Sequence, residues 1–439
     1  MPVYITLGMN STSGVSAVII IVLLSMAILH HTARCVAIAN VRPIMLAGAF
    51  ASLLVLAFLI SYNNQLIKDE LTWHTRALTV TSYLNGSSNT PIADFGGKDG
   101  YVWFVGTIYA LVGVVPLVPI ALNFLFQALI VITVARTTEL ITLSFSDMNL
   151  AARKRAVMVS ASVAALAPSL LPWVPHLLRE IGSSFLISLA VLMCVQFVRT
   201  KQPRFAISAI AAVLILFAVR DSIGLGMSMA LVAAVAFIWI QNPKYQVAMR
   251  LFLLVPFVVG AAVFWNFANE RFGLSAEDLT THSQSLSDGA TSGFFSDPDG
   301  AAGYGAILST NVPRAVFGPF PWDFQPNGVM IFAFMEGIVW ILAIVFAIRA
   351  RPLKVFRRTH DQMSIDADDG RVLVILLAAA FALLAMVAIS TGHYGILSRL
   401  RTMPLVAILP LSAVGFAKWR IGRVGGHEKL PIGGHGIAH

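Results

Sequence analysis

Charge is scarce in this 439-residue chain: Asp, Glu, Lys and Arg together make up 12%, about half of the roughly 25% usual for a globular protein. With 57% hydrophobic residues and a mean hydropathy of +0.80, one or two soluble cores could not bury the apolar surface. That excludes an ordinary soluble enzyme and places the chain in a membrane. Cysteine is nearly absent. Cys35 and Cys194 are too few for a disulfide framework and read as free thiols in packed helices. A Walker loop, HExxH, CxxC and GxSxG are all missing, as is any regular series of intramembrane acids. His31 and Cys35 in HHTARC have metal-ligand spacing but stand alone. The residues therefore call for no metal and no cofactor, and a divalent cation is left open. The net charge of +9 has no aromatic and basic module behind it, so no nucleic acid is expected as a partner.

What the chain has instead is long apolar runs. A helix rises 1.5 Å per residue, so roughly 20 residues cross the ~30 Å hydrocarbon core. Eleven runs qualify, near 13–30, 43–62, 114–134, 157–174, 181–198, 205–219, 223–240, 251–266, 329–348, 372–390 and 402–417. The fold expected is all-α, a polytopic integral membrane protein of about 11 transmembrane helices forming one transmembrane domain over 1–439. No positive residue precedes the first run, and His30, His31 and Arg34 follow it, so it is expected to be a span and not a cleaved signal. Alternate connections collect Arg34 and Arg42, then Arg136 and Arg153 to Arg155, then Arg199, Lys201 and Arg204. Lys244, Arg250, the stretch from Arg349 to Arg371 and the tail complete 21 of the 30 basic residues. Basic loops stay in the cytoplasm, which puts the N-terminus outside and the C-terminus inside.

Two extracytoplasmic loops are long, and loops of that length usually carry function. The first, 63–113, is polar and then turns apolar at YVWFVGTIYALVG, too short to span and suited to a membrane-surface helix. The second, 267–328, is rich in Ser, Gly and Asp and closes with FGPFPWDF. The basic cytoplasmic loop 349–371 reads as a solvated, lipid-facing connector, and 425–439 as a flexible Gly and His tail. No internal repeat is evident.

The informative residues are charges on the outer side, where the positive-inside rule does not account for them. Pro168, Pro172 and Pro175 break the fourth span. The chain can then restart as a helical turn with His176, Arg179 and Glu180 at i, i+3 and i+4 on one face. Arg220 and Asp221 form the next outer turn and suggest a local ion pair. Glu336 falls about seven residues into the ninth span, roughly 10 Å deep, where a carboxylate needs a cavity or a cationic partner. His393, Tyr394, Arg399 and Arg401 crowd the last outer turn, and guanidinium forks suit phosphate or carboxylate. Asp94 and Asp99 are candidate general bases at the membrane surface. Trp103 and Trp322 could stack on sugar rings. Asn123 and Gln127, four apart in the third span, suit interhelical hydrogen bonds.

In order, these features resemble bacterial multi-spanning glycosyltransferases of the C superfamily, which use polyprenyl-phosphate sugars, and related cell-surface polysaccharide polymerases. The likeness runs over about 94–410. It rests on Asp99, Gly100 and Tyr101 with the IYALVG stretch and Asn123, on the Pro-rich end with Arg179 and Glu180, on PFPWDF with Glu336 and Trp340, and on GHYGILSRLR with Pro404. The resemblance implies a bacterial cytoplasmic (inner) membrane location and a polyprenyl-linked sugar donor used at the outer face. An aspartate base, Asp99 or Asp94, would act with Glu336. Arg179, Arg220, Arg399 and Arg401 would hold the lipid phosphate, and His176, Glu180, Trp322, His393 and Tyr394 would position substrate. The partners implied are the lipid bilayer, the lipid-linked sugar or glycan, and other polysaccharide-assembly proteins. Two alternatives stay open: an O-antigen-type polymerase or ligase, with His393 or His176 as base, and a non-enzymatic flippase or exporter of lipid-linked glycans.

Overall fold

A computed structural model describes residues 31–62, 68–87, 99–240, 311–323, 328–351, 367–389, 391 and 394–424, with isolated positions between 16 and 28. Among the described residues every regular element is helical. The helices are α1 (Arg42–Tyr62), α2 (Lys68–Leu84), α3 (Asp99–Val112), α4 (Leu117–Thr142), α5 (Leu150–Leu166), α6 (Glu180–Thr200), α7 (Pro203–Val219), α8 (Asp221–Ile240), α9 (Gly328–Arg349), α10 (Ala367–Ile389), α11 (Tyr394–Leu400) and α12 (Thr402–Val424). The apolar runs that begin near 13 and 251 lie largely or wholly outside the described residues.

Local chemistry sets the boundaries. Asn149 caps α5, its side-chain oxygen accepting from Ala152 N at 2.9 Å. The same helix stops at Leu166 because Pro168 forces Ala167 out of the helical region, to ψ 130°. At the far end of α6, Lys201 takes the left-handed conformation (φ 58°) and its N–H closes on Phe197 O. Gln202 is then extended ahead of Pro203, which opens α7. Between α7 and α8 a single residue, Arg220, makes the turn. Gly224 lets the two helices meet there, since a Cβ at that position would come 2.4 Å from Phe217 Cα.

Five helices are long and apolar enough to cross a bilayer: Leu117–Thr142, Glu180–Thr200, Met330–Arg349, Asp369–Ala388 and Thr402–Arg420. Four shorter apolar segments accompany them, Arg42–Ala57, Asp99–Val112, Pro203–Val219 and Asp221–Val235. Of the eleven expected spans, five are shown at spanning length among the described residues. The outer surface of these helices is apolar: Leu46, Phe50 and Leu54 on α1, Ile207, Ile210 and Leu214 on α7, and Phe334, Ile338 and Leu342 on α9 are all exposed. Such continuous apolar exposure is compatible with lipid and not with water.

Two expectations are corrected here. The polar part of the first long loop contains a helix, α2, which packs on α3: Thr81 Oγ1 donates to Gly106 O at 3.1 Å, and Trp73 meets Tyr101 edge-on at 5.7 Å. The residues after the Pro-rich break do not restart as a helical turn at His176. Leu178 N–H bonds back to His176 O, and regular helix resumes only at Glu180, because Pro172 and Pro175 remove two of the donors an earlier start would need.

Short reversals gather the helix ends at two poles. At one pole lie the ends of α4, α6 and α9 and the starts of α5, α7 and α10. Arg153, Lys154, Arg155, Arg199, Lys201, Arg204 and Arg349 cluster there. Ion pairs tie it together, Arg199 to Asp369 at 2.6 Å and Lys418 to Asp147 at 2.9 Å. The opposite pole holds the starts of α6, α8 and α12, the ends of α5, α7 and α10, and every candidate site residue that is described.

Candidate functional site

Two of the four arginines singled out in the sequence pair with one carboxylate, and a third stands at the head of the same helix. Glu180, first residue of α6 and buried, accepts from Arg220 Nη1 at 3.2 Å and faces Arg399 Nε at 3.3 Å through the same oxygen. Its other oxygen, Oε2, has no hydrogen-bond partner. Arg399 also donates to Asp69 Oδ2 at 2.8 Å, and that carboxylate is half-exposed. Arg179, the third, occupies the N-cap position of the same helix without a side-chain capping bond. Among the described residues it meets no carboxylate at ion-pair distance. It lies over the Trp73 ring at 5.1 Å and reaches only Val219 O at 3.4 Å. The charge of Asp221 still acts on Arg220, as the sequence suggests, but the ion pair shown for Arg220 is with Glu180. Arg220 turns inward to Glu180, and Asp221 accepts from Ser222 N.

The electrostatics of the group follow from crowding. Burial, then repulsion from Arg220 and Arg399, pushes Arg179 down to about 9 against the pull of Glu180 and Asp221, so it is still a cation at neutral pH. Burial likewise lowers Arg220. Burial opposes the charge on Arg399 too, but Glu180 and Asp69 outweigh it and hold this guanidinium above its ordinary value.

Aromatic side chains frame the cluster. Trp73 carries Arg179 on its face, and Trp173, in the 3-10 turn Leu171–Trp173, carries Arg399 at 5.7 Å. Trp173 also touches the His176 ring at 5.9 Å. His176 Nδ1 pairs with Glu70 Oε1 at 3.1 Å, and the same oxygen accepts Leu177 N–H at 2.7 Å. Asn123 fixes this turn by donating to His176 O at 2.7 Å, while Gln127 bridges Ser52 and Ala165 O, the interhelical role expected for both. Asp99, half-buried, opens α3. Its neighbour Gly100 presses on the α7 end, where a Cβ would lie 2.7 Å from Ala218 C. Asp99 thus stands beside the turn that holds Arg220.

A second network lies apart from these arginines. Arg401 and Glu336 are 1% and 0% exposed and pair at 2.9 Å. Arg401 Nε also donates to Ala315 O at 2.9 Å and its remaining nitrogen to Arg314 O. All faces of this guanidinium are committed to protein, so the expectation that it holds phosphate with the others is corrected. Glu336 has found a cationic partner, as its depth required. Nearby, Tyr394 OH donates to Asp323 Oδ2, which Arg314 also clamps. Trp322 projects from that turn, 75% exposed and stacked on Phe320 at 4.8 Å. Asp94 and His393 lie outside the described residues.

Sequence reasoning missed the roles of Asp69, Glu70, Trp73, Trp173 and the Arg314–Asp323 clamp. A weak signal existed for α2: Asp69 and Glu70 fall in its first turn, where acids favour a helix start, and Trp73 follows Glu70 by three. Among the described residues no group of three His, Cys, Asp or Glu side chains could hold a metal ion. No known protein family, curated protein or solved structure matches the chain.

Proposed function

We propose that this protein is a membrane glycosyltransferase that takes its sugar from a lipid-phosphate carrier at the pole bearing Glu180, the extracytoplasmic face. The observation that carries the reading is the gathering of Arg179, Arg220 and Arg399 at the head of α6, the last two paired with Glu180, at a membrane-edge pole. A membrane-edge guanidinium cluster suits a phosphate whose tail lies in lipid. Arg179, which has an aromatic face and no carboxylate contact, is the cation best placed to meet it. In transfer, the bond between the anomeric carbon and the phosphate oxygen breaks and the charge grows on the leaving phosphate. Fixed guanidiniums in a poorly solvated site stabilise that charge. Asp99 and His176 stand at the same pole as candidate acceptors of the proton from the attacking hydroxyl.

Farnesyl diphosphate, a short isoprenoid diphosphate, is a suitable probe. Its binding should quench the tryptophan fluorescence of the protein in lipid nanodiscs, because Trp73 and Trp173 sit on two of the arginines. Arg179→Gln should weaken that binding roughly 10- to 100-fold, the worth of a charged hydrogen bond. Unchanged affinity would reject the arginine cluster as the phosphate seat.

A further inference from the structure

We infer that His176, held by Glu70, is the general base that takes the proton from the acceptor hydroxyl. The inference rests on the transferase reading and adds the identity of the base. Glu70 is fully buried and accepts from the Nδ1 side of the ring and from the next backbone N–H. A carboxylate in that position selects the tautomer protonated at Nδ1 and leaves Nε2 as the basic atom. Among the described residues no hydrogen bond is made at Nε2, and the ring is buried with its side chain 9% exposed. The ring cannot swing away, because Asn123 ties down the His176 carbonyl and Trp173 packs against the imidazole.

Placement supports the role. His176 and Arg399 touch the same indole, Trp173, so one ring separates the basic nitrogen from the guanidinium cluster. The charged groups shown nearest the imidazole are Glu70, paired with Nδ1, Arg179 and Glu180, three and four residues on in the chain, and Arg399 on the far side of Trp173. In the step, the acceptor oxygen bonds to the anomeric carbon while its proton passes to Nε2. The carbon–oxygen bond to phosphate breaks, and the electron pair leaves with the phosphate. The imidazolium, stabilised by Glu70, then returns the proton to solvent. Glu70 is a positioning residue: it touches no substrate and acts through the ring.

The test is a pH–rate profile for release of polyprenyl phosphate from polyprenyl-phosphate-linked hexoses, with the full chain in nanodiscs. Transfer by the wild type should fall on the acid side as the base is protonated. His176→Gln should reduce the rate about 100- to 10,000-fold and abolish that limb, while farnesyl diphosphate binding persists. Glu70→Gln, which leaves the ring unoriented, should lower kcat with little change in KM for the donor. If His176→Gln misfolds, the milder loss in Glu70→Gln and imidazole rescue of His176→Ala give the same answer. A His176→Gln protein with near-normal rate and an intact limb would overturn the inference and leave the transferase reading standing. Loss of the limb in Asp99→Asn instead would hand the role to Asp99. A wild type that binds the diphosphate yet releases nothing from any hexose donor would overturn both.

Discussion

Glu180 answers to two guanidiniums through one oxygen, while its second oxygen has no partner. Removing a buried carboxylate strands the cations that faced it. Glu180→Gln should therefore destabilise the protein by about 3 to 5 kcal/mol, the usual result of breaking one side of a buried ion pair. Thermal unfolding in detergent would check this, and a variant as stable as wild type would show that the cluster is solvated enough not to need Glu180. Arg179 makes a pH prediction with a definite sign. Its folded value of about 9 lies below an ordinary guanidinium, so its charged form is disfavoured in the fold and is lost first as pH rises. A bound anion stabilises that charge. Affinity for farnesyl diphosphate should be flat below about 9 and fall above it, and titrations across that window would show no fall if Arg179 does not meet the anion. Arg179, Arg220 and Arg399 could be picked out of the sequence because each opposed the charge rule for outer loops. The carboxylate that Arg220 and Arg399 share could not, since Glu180 adjoins Arg179 in the chain and lies far along it from the two arginines it pairs with.

At the level of elements, the helical pair α2 and α3 supplies Asp69, Glu70 and Trp73 to the site. Its close approach depends on Gly106. A Cβ there would come 2.6 Å from Val80 Cβ and 3.0 Å from Ala77 O. Gly106→Ala should cost about 1 to 3 kcal/mol through overpacking and weaken donor binding by shifting α2. Pairing it with Val80→Ala should restore much of both, because the two sites share one contact. A double variant no better than the single one, in unfolding and binding measurements, would show that the strain lies elsewhere. This element was only half legible. The apolar face of α3 stood out, but α2 is polar enough to read as a loop, and its helicity depends on Trp73, Ala77 and Val80 being buried against α3 and the turn around Leu177.

For the whole molecule, the two poles differ in chemistry. One is ringed by basic connections and latched by Arg199–Asp369 and Lys418–Asp147, and the other holds the candidate site. On the proposed reading, the positive-inside rule would put the site on the outer side of the membrane. With Cys35 and Cys194 first replaced by Ser, Trp322→Cys should react with a membrane-impermeant maleimide on intact cells. Lys154→Cys should react only after permeabilisation. The reverse pattern would turn the protein over and end the extracytoplasmic proposal.

Composition and periodicity pointed to long apolar helices suited to a membrane, to several of the helix bounds found among the described residues, and to which pole is basic. These are local or summed properties: apolar length, prolines that remove donors, and loops counted for charge. The tertiary structure decided which charges meet. Arg399 and Arg401, two residues apart, point to different carboxylates, Glu180 and Glu336, because the short turn between α11 and α12 splays their side chains. His176 gained a partner more than a hundred residues earlier in the chain. Pairings of that kind are set by helix packing, which no spacing along the chain encodes.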